Sequence, residues 1–272
     1  INPSAKKIKL FFGKLNNFCI MRKINNLFVF MMLVVAFASC SEVEPLDPVL
    51  SGQVNSGGDN GSGSGSSGGN SGGTSSGDYW PTAINNEWIY DSNGSSSTMK
   101  IIATETVNGQ LYYKFAPQSG NGSVSSGIVN SSVNKNLGVY KLKTDDVVID
   151  AGGITGTQTG YEYIVLKDNI PVNGTWNGSY TQTTTYTGIP PITFTTNYVG
   201  TILAKGVSET VNNEVFTDVI KVKIDQTTNV PGVPATTIVS EYWYAKDVGV
   251  IRATNIGSGV NYESILVDYI LY

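Results

Sequence analysis

Ile220-Lys221-Val222-Lys223-Ile224-Asp225 alternates apolar and charged side chains without a break. Successive side chains of an extended chain point to opposite faces, so this stretch reads as a β-strand with one face buried and the other wet. The same period runs through Leu111, Tyr113 and Phe115, and again through Ile265, Val267, Tyr269 and Leu271. No stretch holds a helical period over three turns. From Asp78 to Tyr272, Tyr, Val, Ile and Thr predominate between Asn-Gly, Gly-Gly and Pro-Gly turns. About 195 residues of this kind suffice for one sizeable core, and the pattern predicts an all-β, antiparallel domain over 78–272, built of hairpins.

Two hairpins share their wording: Glu105-Thr-Val-Asn-Gly-Gln-Leu-Tyr112 and Glu209-Thr-Val-Asn-Asn-Glu-Val-Phe216. Asn108-Gly109 and Asn212-Asn213 suit the positive φ angles of a two-residue type I′ turn. Each half also has a Trp behind a turn, in Ile84-Asn-Asn-Glu-Trp88 and Val172-Asn-Gly-Thr-Trp176. Two readings fit. An internal duplication would give two similar sheet halves around a shared core; common hairpin chemistry could also produce the same words.

Upstream of the domain, Ser51 to Gly77 is mostly Gly and Ser, with Val54 its only apolar side chain. Such a segment buries too little to offset the entropy of ordering it, so a disordered linker is expected. A Gly-rich coil of this length has an r.m.s. span near 30 Å, from roughly 5–6 Å times the square root of length. Residues 40–77 are therefore expected to act as a tether. A phosphate-binding glycine loop is excluded, because no Lys-Ser or Lys-Thr follows and no strand-to-helix context surrounds the run.

The first forty residues read as an address. Met21-Arg22-Lys23 opens a short basic region, Leu27 to Ala38 is almost wholly apolar, and Ala38-Ser39 precedes Cys40. This is the order of a secretory signal, with an apolar run too short to span a bilayer comfortably. The small pair before Cys40 resembles the lipobox cut by signal peptidase II, with Phe37 where Leu is commonest. Residues 21–39 are then the lipoprotein signal peptide, Cys40 is the lipidation site, and 1–20 is an upstream extension of the reading frame. The competing reading is an ordinary signal peptide that happens to end in Cys. Each buried methylene of an acyl chain contributes about 0.8 kcal/mol, so a triacylated Cys40 would hold the protein firmly on a membrane. The acidic start Ser41-Glu42-Val43-Glu44-Pro45 resembles the signal that sends Bacteroidota lipoproteins to the outer face of the outer membrane. A lipid-anchored outer-membrane location is expected, on the periplasmic or the surface-exposed face.

Charge and composition narrow the chemistry. Six of the 17 Lys and Arg precede Cys40, whereas all 21 Asp and Glu follow it, so the mature chain carries 11 − 21 = −10. It has no basic stripe, and nucleic acid and anionic lipid are poor partners for such a surface. There is no histidine, and beyond residue 39 the only cysteine is Cys40. Ser-His-Asp and Cys-His sites, a His-rich zinc site, the usual haem ligands and a disulfide framework are therefore unavailable. No cofactor and no metal are expected. In Asp145-Asp146-Val-Val-Ile-Asp150, two carboxylates would share a strand face, but the Gly and alternating ligands of a calcium loop are missing. A solvated turn beside an edge strand is the better reading. Glu87, Glu105, Glu162, Glu209, Glu241 and Glu263 offer a carboxylate-only hydrolase its acids without a pairing rule. The expectation is a non-enzymatic protein with no catalytic residue.

Aromatics are the remaining candidates, and Tyr242-Trp243-Tyr244 is the most concentrated run. In a strand the two Tyr point to one face and Trp243 to the other, so whichever face is wet exposes a large ring. An exposed platform would suit sugar rings or a flat partner surface, and a concave one a lipid or peptide. The alternative is that most of these rings fill the core. Tyr242, Trp243 and Tyr244 are the candidate ligand-contacting residues.

Four segments carry a resemblance: Tyr79-Trp-Pro-Thr-Ala-Ile-Asn-Asn-Glu-Trp-Ile-Tyr90, Ile170-Pro-Val-Asn-Gly-Thr-Trp176, Val215-Phe-Thr-Asp-Val-Ile-Lys-Val-Lys223 and Tyr242-Trp-Tyr-Ala-Lys-Asp-Val-Gly-Val-Ile251. In this order the domain resembles Bacteroidota extracytoplasmic lipoproteins of unknown function, the TapB-like group, with Asn85-Asn86 where Gly-Asn is commoner. The resemblance implies an open, strongly curved antiparallel sheet, half-barrel or sandwich-like, and it implies no chemistry. Trp88 and Trp176 would begin strands and pack inward, and Gly249 would relieve a turn or bulge. The expected function is a membrane-tethered, non-enzymatic binding or envelope-structural module for a small-molecule, glycan or protein ligand. The alternative is capture of surface glycans or proteins through exposed Tyr and Trp.

Overall fold

The computed structural model describes residues 75–119, 128–150 and 155–272, so the signal segment and Cys40 lie outside the described residues. Every regular element among the described residues is a strand. β1 (Glu87–Ser92), β2 (Ser95–Val107) and β3 (Gln110–Phe115) are followed by a small two-stranded sheet of β4 (Gln118–Ser119) and β5 (Ile128–Val129). Then come β6 (Ser131–Asn136), β7 (Val139–Thr144), β8 (Val147–Asp150), β9 (Thr155–Gln158) and β10 (Tyr161–Lys167). The second half is a meander of longer strands: β11 (Thr175–Tyr186), β12 (Ile189–Val211), β13 (Glu214–Val230), β14 (Val233–Ala245), β15 (Gly249–Gly257) and β16 (Val260–Ile270).

Fourteen strands form one antiparallel sheet in the order β10-β7-β6-β3-β2-β1-β16-β15-β14-β13-β12-β11-β9-β8. The all-β, antiparallel, unclosed sheet matches the expectation. Alternation places β13 as the sequence predicted: Ile220, Val222 and Ile224 are fully buried, while Lys221 and Lys223 lie on the other face in ion pairs with Glu209 and Asp225; in β3 and β16, by contrast, Leu111 and Val267 are exposed and their neighbours Tyr112 and Leu266 are buried. The expected turns also form, with positive φ at Asn108, Gly109, Asn212 and Asn213. Gly249 opens β15 at φ 115°, just beyond the turn after β14.

The order of strands has an internal repeat. β1, β2, β3, β6, β7 and β10 form one six-stranded run, and β11 to β16 form a second of the same sense. Equivalent backbone contacts begin both runs. Asn85 N–H donates to Ile101 O at 2.8 Å and Ile101 N–H to Asn86 O at 2.9 Å; Asn173 N–H donates to Ile202 O at 2.8 Å and Ile202 N–H to Gly174 O at 3.0 Å. Asn85 and Asn173 both have positive φ. The register then shifts between Ile101 and Ala103 in β2 and between Ile202 and Ala204 in β12. Each shift falls in an Ile-(Ile/Leu)-Ala triplet. Further on, the β6–β7 turn in Lys135-Asn-Leu-Gly-Val-Tyr-Lys141 corresponds to the β14–β15 turn in Lys246-Asp-Val-Gly-Val-Ile-Arg252.

Both runs contribute to one core. Phe115, Val133, Tyr140 and Val165 of the first share a buried cluster with Val222, Tyr244 and Ile251 of the second. Trp80, in the strap before β1, lies between the two walls, 5.7 Å from the ring of Phe115 and 6.1 Å from that of Tyr244. The strap is held by Asp78, which pairs with Lys135 at 2.7 Å, and by Tyr79 N–H donating to Tyr140 Oη at 3.1 Å.

Candidate functional site

The two runs meet at two junctions, and they are not alike. At one, β1 and β16 are joined by a backbone ladder. At the other, β10 pairs with β7 alone, and β11 is laddered to β9 only from Thr184 to Tyr186. Between β10 and β11 runs a seam closed by side chains. Trp176 Nε1 donates to Ile164 O at 3.0 Å, and Ile164 N–H donates to Tyr198 Oη at 3.2 Å. Two glycines make this possible. Trp176 stands opposite Gly200, and Tyr198 opposite Gly178. A Cβ at Gly200 would overlap the indole of Trp176, and one at Gly178 would overlap the Tyr198 hydroxyl. Each aromatic side chain therefore lies across its partner strand's backbone, which only a residue without a side chain allows.

Tyrosines line the seam. Tyr161 of β10 stacks on Tyr180 of β11 with centroids 4.4 Å apart, and Tyr163 meets Tyr198 edge to face at 5.7 Å. Tyr163 and Tyr242 of β14 also share a hydrogen bond between their hydroxyls. Tyr180 Oη donates to Gln226 Oε1 at 3.3 Å, and Thr196 and Thr228 share a hydrogen bond of 2.7 Å. Burial raises the pKa of Tyr161, Tyr163, Tyr180 and Tyr242 above the ordinary phenol value, with neighbouring phenols adding to the rise at Tyr161 and Tyr163. These rings are neutral at any physiological pH. No Asp, Glu, Lys or Arg occurs from Asn169 to Ala204, the stretch that supplies β11 and most of β12.

A hollow lies at each end of β10. The first, of about 750 Å³, is bounded by Tyr161, Thr144, Gly160, Glu162, Lys141, Lys143, Asp145 and Asp146 together with the β2–β3 turn. The second, of about 850 Å³, is bounded by Lys167, Trp176 and Asn177 with Asn134, Asn136 and Asn169; the two share Gln110 and Lys141. The charged groups of the first are tied to one another. Glu162 accepts from Lys141 at 3.0 Å and from Tyr112, while Lys143 bridges Asp145 and Glu105, the latter at 3.4 Å. Asp146 accepts the Gly160 N–H at 2.7 Å. Burial, and then the bond to Glu162, raises the pKa of Tyr112.

No protein-family model matches the chain, and no curated protein matches it. Two solved structures are similar to it. One is a candidate lipoprotein of Parabacteroides distasonis, at 12% identity and a TM-score of 0.42, covering 73% of this chain and 99% of that one. The other is a candidate exported protein with a YmcC-like fold from Bacteroides fragilis, at 8% identity and a TM-score of 0.30, covering 71% of this chain and 98% of that one.

The structure separates the three aromatic residues singled out in the sequence. Tyr242 joins the seam tyrosines through Tyr163. Tyr244 is only 1% exposed and packs against Trp80, so it is a core residue, out of a ligand's reach. Trp243 is half-buried on the opposite face, its ring between Lys221 at 3.9 Å and Arg252 at 4.5 Å, and its Nε1 donates to Glu241 at 2.6 Å. The two cations occupy the ring that an exposed platform would offer. Asp145 and Asp146 sit in the turn before β8, the last strand of the sheet, and among the described residues no three acidic side chains gather as a metal site would need. Tyr161, Tyr163, Tyr180 and Tyr198 were not grouped from the sequence. The available signal was aromatic-glycine complementarity, Trp176 with Gly200 and Gly178 with Tyr198, but it can be read only once the register of β11 on β12 is known.

Proposed function

We propose that this protein is a membrane-tethered, extracytoplasmic, non-enzymatic binding module that takes its ligand at the seam between β10 and β11. The observation that carries the proposal is the broken repeat: one junction is a ladder, and its counterpart is a seam closed by neutral aromatic side chains, with a hollow at each end of β10. Hollows of this size fall within the roughly 300–1,000 Å³ of small-molecule sites. The state of the acids supports a binding rather than a hydrolytic role. Both oxygens of Glu162 are occupied, Asp145 is paired with Lys143, and Asp146 caps a backbone N–H. The tether rests on Cys40 and the Gly-Ser run behind it.

Two measurements test this. Globomycin, which blocks the peptidase that cleaves before a lipidated Cys, should leave unprocessed precursor, and Cys40→Ala should leave the chain off the membrane; normal processing in both would refute the anchor. Native mass spectrometry of the mature chain should detect a bound small molecule that is lost on Tyr161→Ala. Retention of the ligand by that variant would refute the seam as the site.

A further inference from the structure

We infer that the strap from Ser75 to Trp80 is a clasp: it joins the two runs of the sheet, and it comes away from both as one unit while the sheet stays folded. The strap is held from two sides at equivalent places. On the first run, Lys135 Nζ pairs with Asp78 at 2.7 Å and donates to Trp80 O at 3.3 Å, and Tyr140 Oη accepts the Tyr79 N–H. On the second, Asp247 N–H donates to Asp78 O at 2.6 Å, Gly77 lies against the side chain of Lys246, and the Trp80 ring meets that of Tyr244. Lys135 and Lys246 open the two turns that correspond in the repeat. Asp168, fully buried in the link between the runs, accepts the Ser75 hydroxyl at 2.7 Å. None of these contacts is a ladder: the strap belongs to no strand, so its departure breaks no strand pairing. The sheet's own contacts begin beyond it, where Asn85 N–H donates to Ile101 O and Ile101 N–H to Asn86 O. The closed clasp also leaves Trp80 Nε1 buried without a partner among the described residues, whereas the indole N–H groups of Trp88, Trp176 and Trp243 are all bonded. Water reaches the Trp80 indole when the strap lifts, so opening regains a hydrogen bond that the closed state lacks. Open, the clasp bares the Phe115 and Tyr244 rings on which Trp80 packs. On the reading of Cys40 as the anchor, the chain from the membrane enters the domain at Ser75, so opening also lets out Ser75 to Ile84, about 35 Å at roughly 3.3–3.6 Å per residue.

The test is native-state amide exchange of the mature chain over a series of denaturant concentrations too low to unfold it. Three amides report on the clasp: Tyr79, bonded to Tyr140; Trp80, bonded to Asp78 Oδ1 at 3.0 Å; and Asp247, bonded to Asp78 O. All three should exchange through one opening, about a hundredfold or more faster than Val222 and Ile224, which pair on both sides in β13, and with little dependence on denaturant. Lys135→Met removes bonds to the first run alone, yet should speed all three amides by the same factor, about tenfold, Asp247 on the second run included. Trp80→Ala should leave the three amides unprotected while Val222 and Ile224 stay protected. Exchange of Tyr79, Trp80 and Asp247 only together with Val222 and Ile224 would overturn the inference, because the strap would then be part of the core. So would a Lys135→Met effect confined to Tyr79 and Trp80, which would mean that the two runs hold the strap independently. Loss of protection at Val222 and Ile224 in Trp80→Ala would overturn it as well.

Discussion

Gly200→Ala tests the seam with one methyl group. Gly200 faces Trp176 across the β11–β12 pair, and the new Cβ would overlap Cε2 and Cζ2 of the indole. The ring cannot simply swing aside, because it is 5% exposed and its Nε1 is fixed on Ile164 O at 3.0 Å. Forcing an extra carbon into a packed site costs about 1–3 kcal/mol. Displacing the indole also leaves the Ile164 carbonyl without its partner, at about 1–3 kcal/mol. The sum, about 2–6 kcal/mol, is a large part of the roughly 5–15 kcal/mol that holds a domain together. Denaturant unfolding measures the loss, and native-state amide exchange locates it: the Ile164 amide, bonded to Tyr198 Oη, should exchange much faster. Thr201→Ala, one residue on and facing outward, should stay within about 0.5 kcal/mol of the parent. Adding Trp176→Phe to Gly200→Ala should cost less than the sum of the single changes, because the smaller ring leaves room for the methyl. A Gly200→Ala protein within about 0.5 kcal/mol of the parent, with unchanged exchange at Ile164, would refute the account of the seam.

Three further outcomes are expected. Trp243→Ala removes a half-buried ring with a cation on each side and should cost about 1–2 kcal/mol in denaturant unfolding; a loss above about 4 kcal/mol would mean that Trp243 is a core residue. Tyr140→Phe leaves the Tyr79 N–H without its acceptor and should cost about 1–3 kcal/mol, with faster exchange confined first to the strap; uniform exchange along the chain would contradict a local latch. The raised tyrosine pKa values give an alkaline limit. Their stabilisation is fully present below the unfolded value of about 10 and is lost as pH climbs through the higher folded values, so phenolate absorbance should rise with unfolding, as one cooperative step. Ionisation of Tyr161, Tyr163, Tyr180 and Tyr244 near pH 10 in a still-folded protein would exclude their burial.

The parts of the fold legible in the sequence are those fixed by local rules. Ile220, Val222 and Ile224 alternate with charges, and the register of β13 between β12 and β14 keeps that alternation, so the strand and its buried face follow from six residues. Asn108-Gly109 and Asn212-Asn213 dictate their turns in the same way. The repeat of strand order was half visible in Glu105-Thr-Val and Glu209-Thr-Val. The rest was hidden by the extra residues around Lys205-Gly206-Val207, which separate Ile202-Leu-Ala from Glu209 where Ile101-Ile-Ala runs on to Glu105 after one residue. The inserted Lys205 Nζ donates to Asp168 O at 2.5 Å and Ile170 O at 3.2 Å, in the link between the two runs. The faces of Tyr242, Trp243 and Tyr244 could be assigned relative to one another but not which was wet, because that depends on what Lys221, Arg252 and Trp80 do from other strands. The seam was out of reach for the same reason, since it joins the last strand of one run to the first of the next.

The two junctions of the sheet differ in energy as well as in symmetry. Trp88 and Trp176 occupy equivalent places, and each donates its indole N–H to a carbonyl, Val248 O at 2.7 Å and Ile164 O at 3.0 Å. The Trp88 bond runs to the β14–β15 turn, and the first junction is held by a ladder with six paired positions from Glu87 to Ser92. At the second, the Trp176–Ile164 and Ile164–Tyr198 bonds stand where the ladder would be. With a net value of about 1 kcal/mol per hydrogen bond, the hydrogen bonds between β10 and β11 contribute several kcal/mol less than those between β1 and β16. Local opening concentrates where few backbone bonds cross. The same repeat therefore supplies one junction held by a backbone ladder and one held by side chains, and the proposed binding site lies at the second.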